Sequence, residues 1–295
     1  MFEGYTPFQF EVEPDITIRG VQGGTTSGPA LLLLHGYPQT YLIWHLVVTD
    51  LAKKYTIVAL DLRGYGASSK PRGDGNHANY SKRVMARDCA RVMGKLGHSR
   101  YYVCGHDRGA RVTHTLCIDY PERVMKAMLL DISPTLTMYS KTDFEFAKAY
   151  YHWFFLIQAA PLPEVAIGGD AVAFFRAFMG RRDGLGVFEP RCLDAYLEVM
   201  KEPETIHSTC EDYRAAATVD LDDARADIAA GRQIQCPLRV LWGKKGVIEK
   251  SFNAIEDWKE VSATKEVDGH AVDCGHYIPE EAPQELLQNI LEFFR

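Results

Sequence analysis

Polar and apolar residues along the chain alternate at first, then gather into short apolar blocks separated by helical spacing. From Phe8 to Arg19 the order Phe-Glu-Val-Glu and then Ile-Thr-Ile-Arg has a period of two, which predicts a half-exposed antiparallel hairpin; Gly23-Gly24 after it reads as a turn. Continuous apolar runs follow at Leu31 to Leu34, Thr56 to Leu60, Tyr101 to Cys104, Ala127 to Leu130 and Leu238 to Leu241. Each is short enough for a strand buried on both faces, as in a parallel sheet. Helical patterns such as Ser81 to Leu96 and Ala110 to Asp119 separate several of them, so the expected class is α/β with a mostly parallel, doubly wound sheet. From about Thr135 to Arg232 no strand pattern occurs, and aromatic runs such as Tyr150-Tyr151-His152-Trp153-Phe154-Phe155 fall in helical spacing. This predicts a helical cap at 135–232, inserted into a core domain made of 1–134 and 233–295. The sheet pattern resumes at Gln235, and an amphipathic helix from Glu281 to Phe294 ends the chain.

Composition narrows the function classes. The 295 residues are 46% hydrophobic and 24% charged, which excludes a disordered or fibrous chain. Net charge is −6 and the Lys and Arg residues are scattered, so the chain lacks the basic stripe that binds nucleic acid. Seven Cys at irregular positions, without CxxC pairs, read as reduced thiols and a cytoplasmic location, with no metal site. Met1 to Asp15 carries no signal-peptide pattern and no apolar run approaches a membrane span, so a soluble protein without a membrane partner is expected.

The most informative segment is Tyr101-Tyr-Val-Cys-Gly-His-Asp-Arg-Gly-Ala-Arg111, where an apolar strand enters Gly105-x-Asp107-x-Gly109 and a helix follows. In this strand-turn-helix setting the glycines permit a sharp elbow that lifts the central side chain above the sheet edge, the nucleophile position of the α/β-hydrolase fold. Asp107 occupies it; its alternative role is to cap the following helix. A carboxylate there attacks an sp3 carbon bearing a leaving group and forms an ester, which water must then hydrolyse with a general base and an oxyanion hole.

His276, in Asp273-Cys-Gly-His-Tyr-Ile-Pro-Glu-Glu281, follows the last sheet segment and precedes the final helix, the chain position of the base in this fold; His270 is its competitor. The orienting acid has two homes. The later strand ends in Leu241-Trp-Gly-Lys-Lys-Gly-Val247, with Glu249 beyond it, whereas the earlier ends in Met128-Leu-Leu-Asp131, so Asp131 is assigned and Glu249 is the fallback. Asp131 alternatively is a buried carboxylate satisfied by loop amides. His35-Gly36-Tyr37-Pro38 follows the first long apolar strand, which makes the backbone N–H groups of Tyr37 and Arg108 the expected oxyanion hole.

Together with His35-Gly-Tyr-Pro-Gln-Thr40 and Gly105-His-Asp-Arg-Gly-Ala-Arg111, the segments Asp61-Leu-Arg-Gly-Tyr-Gly-Ala-Ser-Ser-Lys-Pro71, His152-Trp-Phe-Phe-Leu-Ile-Gln158 and Cys210-Glu-Asp-Tyr-Arg-Ala-Ala-Ala217 resemble the fluoroacetate (haloacetate) dehalogenases over nearly the whole chain. The first and third of these five are shared with epoxide hydrolases and haloalkane dehalogenases; the two cap segments are more specific. The resemblance implies an Asp107, Asp131, His276 triad, no cofactor and a homodimer. It implies that Arg108 and Arg111 hold the substrate carboxylate, for which their i, i+3 spacing and planar forks are suited. Arg111 alternatively pairs with Asp119 or Glu122. It further implies that His152, Trp153 and Tyr213 donate hydrogen bonds to a departing halide; as an aromatic cluster they otherwise read as core. Tyr37 and Ala110 sit where relatives vary, which leaves the halogen preference open.

Two other functions compete. An epoxide hydrolase would use the same triad with cap tyrosines among Tyr139, Tyr150, Tyr151, Tyr196 and Tyr213, but the two arginines are of no use to a neutral epoxide. A non-catalytic binding protein of this fold usually lacks a triad member, and here each role is filled.

Overall fold

In a computed structural model, which describes residues 1–181 and 184–295, one eight-stranded sheet runs through the protein. Its strands are β1 (Thr6–Glu13), β2 (Ile16–Gly24), β3 (Ala30–Leu34), β4 (Thr56–Leu60), β5 (Tyr101–His106), β6 (Val124–Leu130), β7 (Leu238–Gly243) and β8 (Val267–Val272), in the spatial order β1-β2-β4-β3-β5-β6-β7-β8. β1 and β2 form the expected antiparallel hairpin, β2 pairs antiparallel with β4, and every pairing from β4 to β8 is parallel.

The apolar runs are strands because both of their faces are covered. Leu32 and Leu34 of β3 join one core cluster with Val58, Leu60, Val103, Leu129 and Val240. Leu31 and Leu33 point the other way and pack with Ile57, Ala59, Cys104, Met128, Leu130 and Leu241. A period of two inside a continuous apolar run therefore builds two cores, one on each side of the sheet. The helices Lys82–Lys95 and Arg108–Asp119 cover the first side together with the helical segment, and Pro283–Phe293 covers the second.

Two elements differ from expectation. Gly23-Gly24 is not a turn: both residues lie at the end of β2, paired with Ile57 and Thr56. The Tyr5 ring lies where a Cβ on Gly23 would stand, 2.6 Å away, so this glycine serves a close approach. β8 carries no continuous apolar run because it is an edge strand, and only Val267 and Val272 of its six residues are buried.

Between β6 and β7 the described residues form helices only, from Thr135–Ser140 to Val219–Ala229; Arg182 and Asp183, inside the predicted cap, lie outside the described residues. No helix among the described residues is long and apolar enough to cross a membrane, and the seven cysteines are buried and unpaired.

Glu280 joins this helical segment to the sheet side. Its Oε1 accepts from Tyr196 Oη at 2.7 Å, in the helix Pro190–Val199, and from Gln39 Nε2 at 2.9 Å, in the loop after β3. Burial pushes its carboxyl up to about 8, so it is protonated at neutral pH. The unfolded chain ionises this group near 4.5, and the folded protein holds the proton until about 8. Its contribution to stability is therefore full below the lower value and is lost as pH rises through that window. Glu280→Gln, which stays neutral, should gain on the wild type by up to ~1.4 kcal/mol per pH unit across it, then level off. Urea melts at several pH values measure this, and a pH-independent difference between the two proteins would refute it.

Candidate active site

Parallel strands put their C-terminal ends on one edge of the sheet, and the loops leaving β3, β5, β6 and β8 meet there. Asp107 follows β5 at φ 47°, in the left-handed region, and precedes the helix Arg108–Asp119. The elbow closes tightly. A Cβ on Gly105 would lie 2.5 Å from the Gly109 carbonyl oxygen, and one on Gly109 would lie 2.4 Å from that of His35. The Asp107 side chain caps no helix N–H, so the capping role does not hold. Its Oδ1 accepts instead from the Tyr37 N–H at 3.0 Å.

That loop is itself braced. The His35 ring accepts the Leu62 N–H at Nε2 (3.1 Å), which leaves Nδ1 as the N–H donated to the Gly36 carbonyl (3.0 Å). This tautomer is the one the network requires.

His276 Nδ1 lies 2.5 Å from Asp131 Oδ2, and His276 Nε2 lies 3.9 Å from Asp107 Oδ2. Asp131 Oδ1 accepts one backbone amide, Gly243 N–H at the end of β7, at 2.9 Å, so its two oxygens divide between the backbone and the histidine. The competitors lie elsewhere: His270 is exposed beside Glu285, and Glu249 accepts from the Trp242 indole. His106, which the sequence did not single out, is buried with its ring centroid 4.7 Å from that of His276, and its Nε2 donates to the His276 carbonyl at 2.8 Å. Burial, followed by the His276 charge, brings its pKa down to about 4, so it remains a neutral prop.

The two arginines are held differently. Arg108 gives Nε and Nη2 to the Asp212 carboxylate, each at 2.8 Å, and its Nη1 is buried without a partner among the described residues. Its fork is thus already occupied. Arg111 pairs with neither Asp119 nor Glu122: Asp119 meets Arg83 and Arg232, and Glu122 lies beside Arg123. Its Nη1 donates to Thr135 Oγ1 (2.7 Å) and Ser133 O (3.3 Å), its Nη2 to Met138 Sδ (3.1 Å), and its Nε is left without a partner. Burial drives the Asp107 carboxyl up, but His276, Arg108 and Arg111 outweigh it and hold the group below its ordinary range.

A pocket in front of Asp107 is lined by Tyr37, Tyr150, His152, Phe178, Tyr213 and His276, among others. Its volume is about 10 Å³, near the roughly 10–15 Å³ that one water needs. Of the three residues expected to face a leaving group, His152 and Tyr213 line this pocket. Trp153 does not: its ring stacks under Arg111, with the guanidinium carbon 4.7 Å from the ring centre. Trp153 Nε1 and Tyr213 Oη are both buried without a partner among the described residues. No group of three or more His, Cys, Asp and Glu among the described residues is placed to hold a metal ion.

The pattern of the α/β hydrolase fold family matches residues 29–283. The chain is 41% identical to a fluoroacetate dehalogenase of Burkholderia sp., over 99% of this chain and 95% of that protein. It is 31% identical to a soluble epoxide hydrolase of Corynebacterium sp. (strain C12), over 91% of each. A crystal structure from Nostoc sp. PCC 7120, described as an α/β hydrolase, superposes with a TM-score of 0.95 at 47% identity, over 100% of this chain and 99% of the other.

The Tyr37 amide reaches Asp107 only because Gly36 has no side chain; a Cβ there would lie 2.5 Å from Asp107 Cβ and 2.7 Å from its Oδ1. Gly36→Ala should therefore move the loop and lower kcat by about 10²- to 10³-fold, the usual weight of one oxyanion donor. A folded Gly36→Ala protein with kcat within twofold of wild type would show that this amide is dispensable.

Proposed function

The chain belongs to the α/β-hydrolase-fold family, and we propose that within it the protein is a haloacetate dehalogenase that converts a short 2-haloacid and water into a hydroxyacid, halide and a proton. The observation that carries this reading is the buried Asp107 carboxylate, held ionised by its neighbours, with two buried arginines that each leave one nitrogen without a partner among the described residues, Arg108 Nη1 and Arg111 Nε. Arg108 has Asp212 for its counter-ion, but Arg111 is a buried cation without an acid in contact, which calls for an anionic substrate group.

Tyr37 N–H holds Asp107 Oδ1, so Oδ2 is the atom that attacks C2 of the haloacid. The C–O bond forms as the C–halogen bond breaks, and the halide leaves with the bonding pair toward Tyr213 Oη and His152, which line the pocket, while Trp153, the third residue of the expected set, stacks under Arg111. Fluoride needs such donors because it is a poor, strongly hydrated leaving group. His276, with Nδ1–H held by Asp131, then takes a proton at Nε2 from water, and the hydroxide attacks the ester carbon of Asp107. Charge develops on Oδ1, facing the Tyr37 N–H and, by the fold, the Arg108 N–H. Collapse frees the hydroxyacid and restores the carboxylate. In this scheme residues 135–232 act as the cap that closes the pocket over the core.

An epoxide hydrolase is the second reading, favoured by Tyr150 and Tyr213 lining the same pocket and by the Corynebacterium relative. Ion-selective measurement of fluoride and chloride release from haloacetates, beside styrene oxide hydrolysis, separates the two. Halide release should fall about 10⁴-fold or more in Asp107→Asn. His276→Gln should accumulate protein heavier by one carboxymethyl group in intact mass spectra. Turnover of styrene oxide without halide release would replace the dehalogenase reading with the epoxide one.

A further inference from the structure

We propose that Asp212 is a positioning residue for the substrate carboxylate, an inference that rests on the haloacid reading of the site. Asp212 is fully buried in the helix Pro203–Ala217, far from Arg108 in sequence but bonded to it twice through the side chain and once through its carbonyl, at 2.9 Å from Arg108 Nη2. With Nε and Nη2 of Arg108 engaged, the guanidinium plane is fixed and Nη1 alone remains to donate. Arg111 is constrained in a complementary way, both Nη atoms having partners and Nε being the nitrogen without one. On this reading a carboxylate takes Nη1 of Arg108 and Nε of Arg111, and Arg108 offers it no fork.

The remaining lone pairs of Asp212 are also taken. Tyr65 Oη donates to Oδ2 at 2.6 Å, and Lys82 Nζ, which also meets Asp220, donates to Oδ1. Burial drives the Asp212 carboxyl up, and Arg108 and Lys82 more than reverse this, so it stays ionised. A carboxylate with four donors has no freedom to turn, and it passes that rigidity to Arg108. The next residue on the helix is Tyr213, whose ring centre lies 4.2 Å from the Arg108 guanidinium carbon and whose side chain lines the pocket. Two consecutive residues of one helix thus register both ends of the substrate: Asp212 sets the carboxylate clamp and Tyr213 faces the leaving group.

Asp212→Asn tests this through the split between binding and turnover. Loss of one correctly aimed, charge-assisted hydrogen bond should raise the KM for chloroacetate and the calorimetric Kd for acetate by about 10- to 100-fold. The kcat should change less. A merely structural role would reduce the active fraction, and so kcat, while KM and Kd stayed put. Because Asp212→Asn leaves Arg108 and Lys82 buried without their anion, the double variant Asp212→Asn/Lys82→Met, which removes one charge of each sign, is measured in parallel. It should show the same rise in Kd. An acetate Kd within twofold of wild type in either variant, folded by near-UV circular dichroism, overturns the proposal. Halide release with unchanged Kd and KM would sink Asp212's role alone. A raised Kd in a protein whose wild type releases no halide would leave that role standing and reject the dehalogenase reading.

Discussion

Asp107 holds a backbone conformation at φ 47° that an L-residue with a side chain adopts at a cost of about 1–3 kcal/mol, and it survives because the surrounding structure leaves it no other. Its N–H is bonded to the Leu130 carbonyl of β6 and its own carbonyl accepts from the first turn of the following helix. Glycines at 105 and 109 let that helix and the β3 loop approach to contact distance. Moving any of these would let the elbow relax and sink the carboxylate below the sheet edge. The rest of the site is arranged around this point because β3 and β6, the strands before Tyr37 and Asp131, flank β5 and run parallel to it, and the loop after the edge strand β8 reaches back to place His276 against Asp131 and His106.

The buried charges show how such a site is kept stable. Asp107, Arg108, Arg111, Asp212, Lys82 and Asp220 are all nearly excluded from solvent. An isolated ion in that setting costs several kcal/mol, so each is tolerable only through its neighbours. Asp212 neutralises Arg108 and shares Lys82 with Asp220. Arg111 has no acid in contact, and burial, and then Arg108, outweigh the charge of Asp107 and drive its pKa down. The least compensated cation therefore lies near Asp107.

Much of this was legible in the sequence, and for physical reasons. Buried parallel strands must be apolar on both faces, so Leu31 to Leu34 and Tyr101 to Cys104 announced themselves, and the elbow needs glycines at a fixed spacing around Asp107. The edge strand β8 gave no such signal, since only its ends are buried. His276 could be placed from chain order, whereas its prop His106 could not, because a histidine beside Asp107 in the sequence carries no mark of which carbonyl it will meet. Asp212 lay inside the Cys210 to Ala217 segment from the start, yet its partners Arg108, Lys82 and Tyr65 are all more than a hundred residues away. Pairing across that distance is a property of how the helical segment seats on the core. The expectation that Arg108 would offer a planar fork failed for the same reason.

On the haloacid reading, the charge inventory also explains why one site serves two chemical steps. Before attack the pocket holds two negative groups, the Asp107 carboxylate and the substrate carboxylate, facing Arg108 and Arg111. When the ester forms, Asp107 becomes neutral and one negative charge departs as halide, while the substrate carboxylate stays bridged between the same two nitrogens. The clamp therefore keeps its anion from substrate binding to product release, and the Tyr213 donor faces an anion only while the halide is leaving. The positive field of the arginines, undiminished at the ester stage, then stabilises the charge that develops on Asp107 Oδ1 as water attacks. A neutral substrate would leave Arg111, which has no acid in contact, uncompensated once Asp107 was esterified, at the stage where a buried cation is most costly. Selection for an acid is in this way built into the second step as well as into binding.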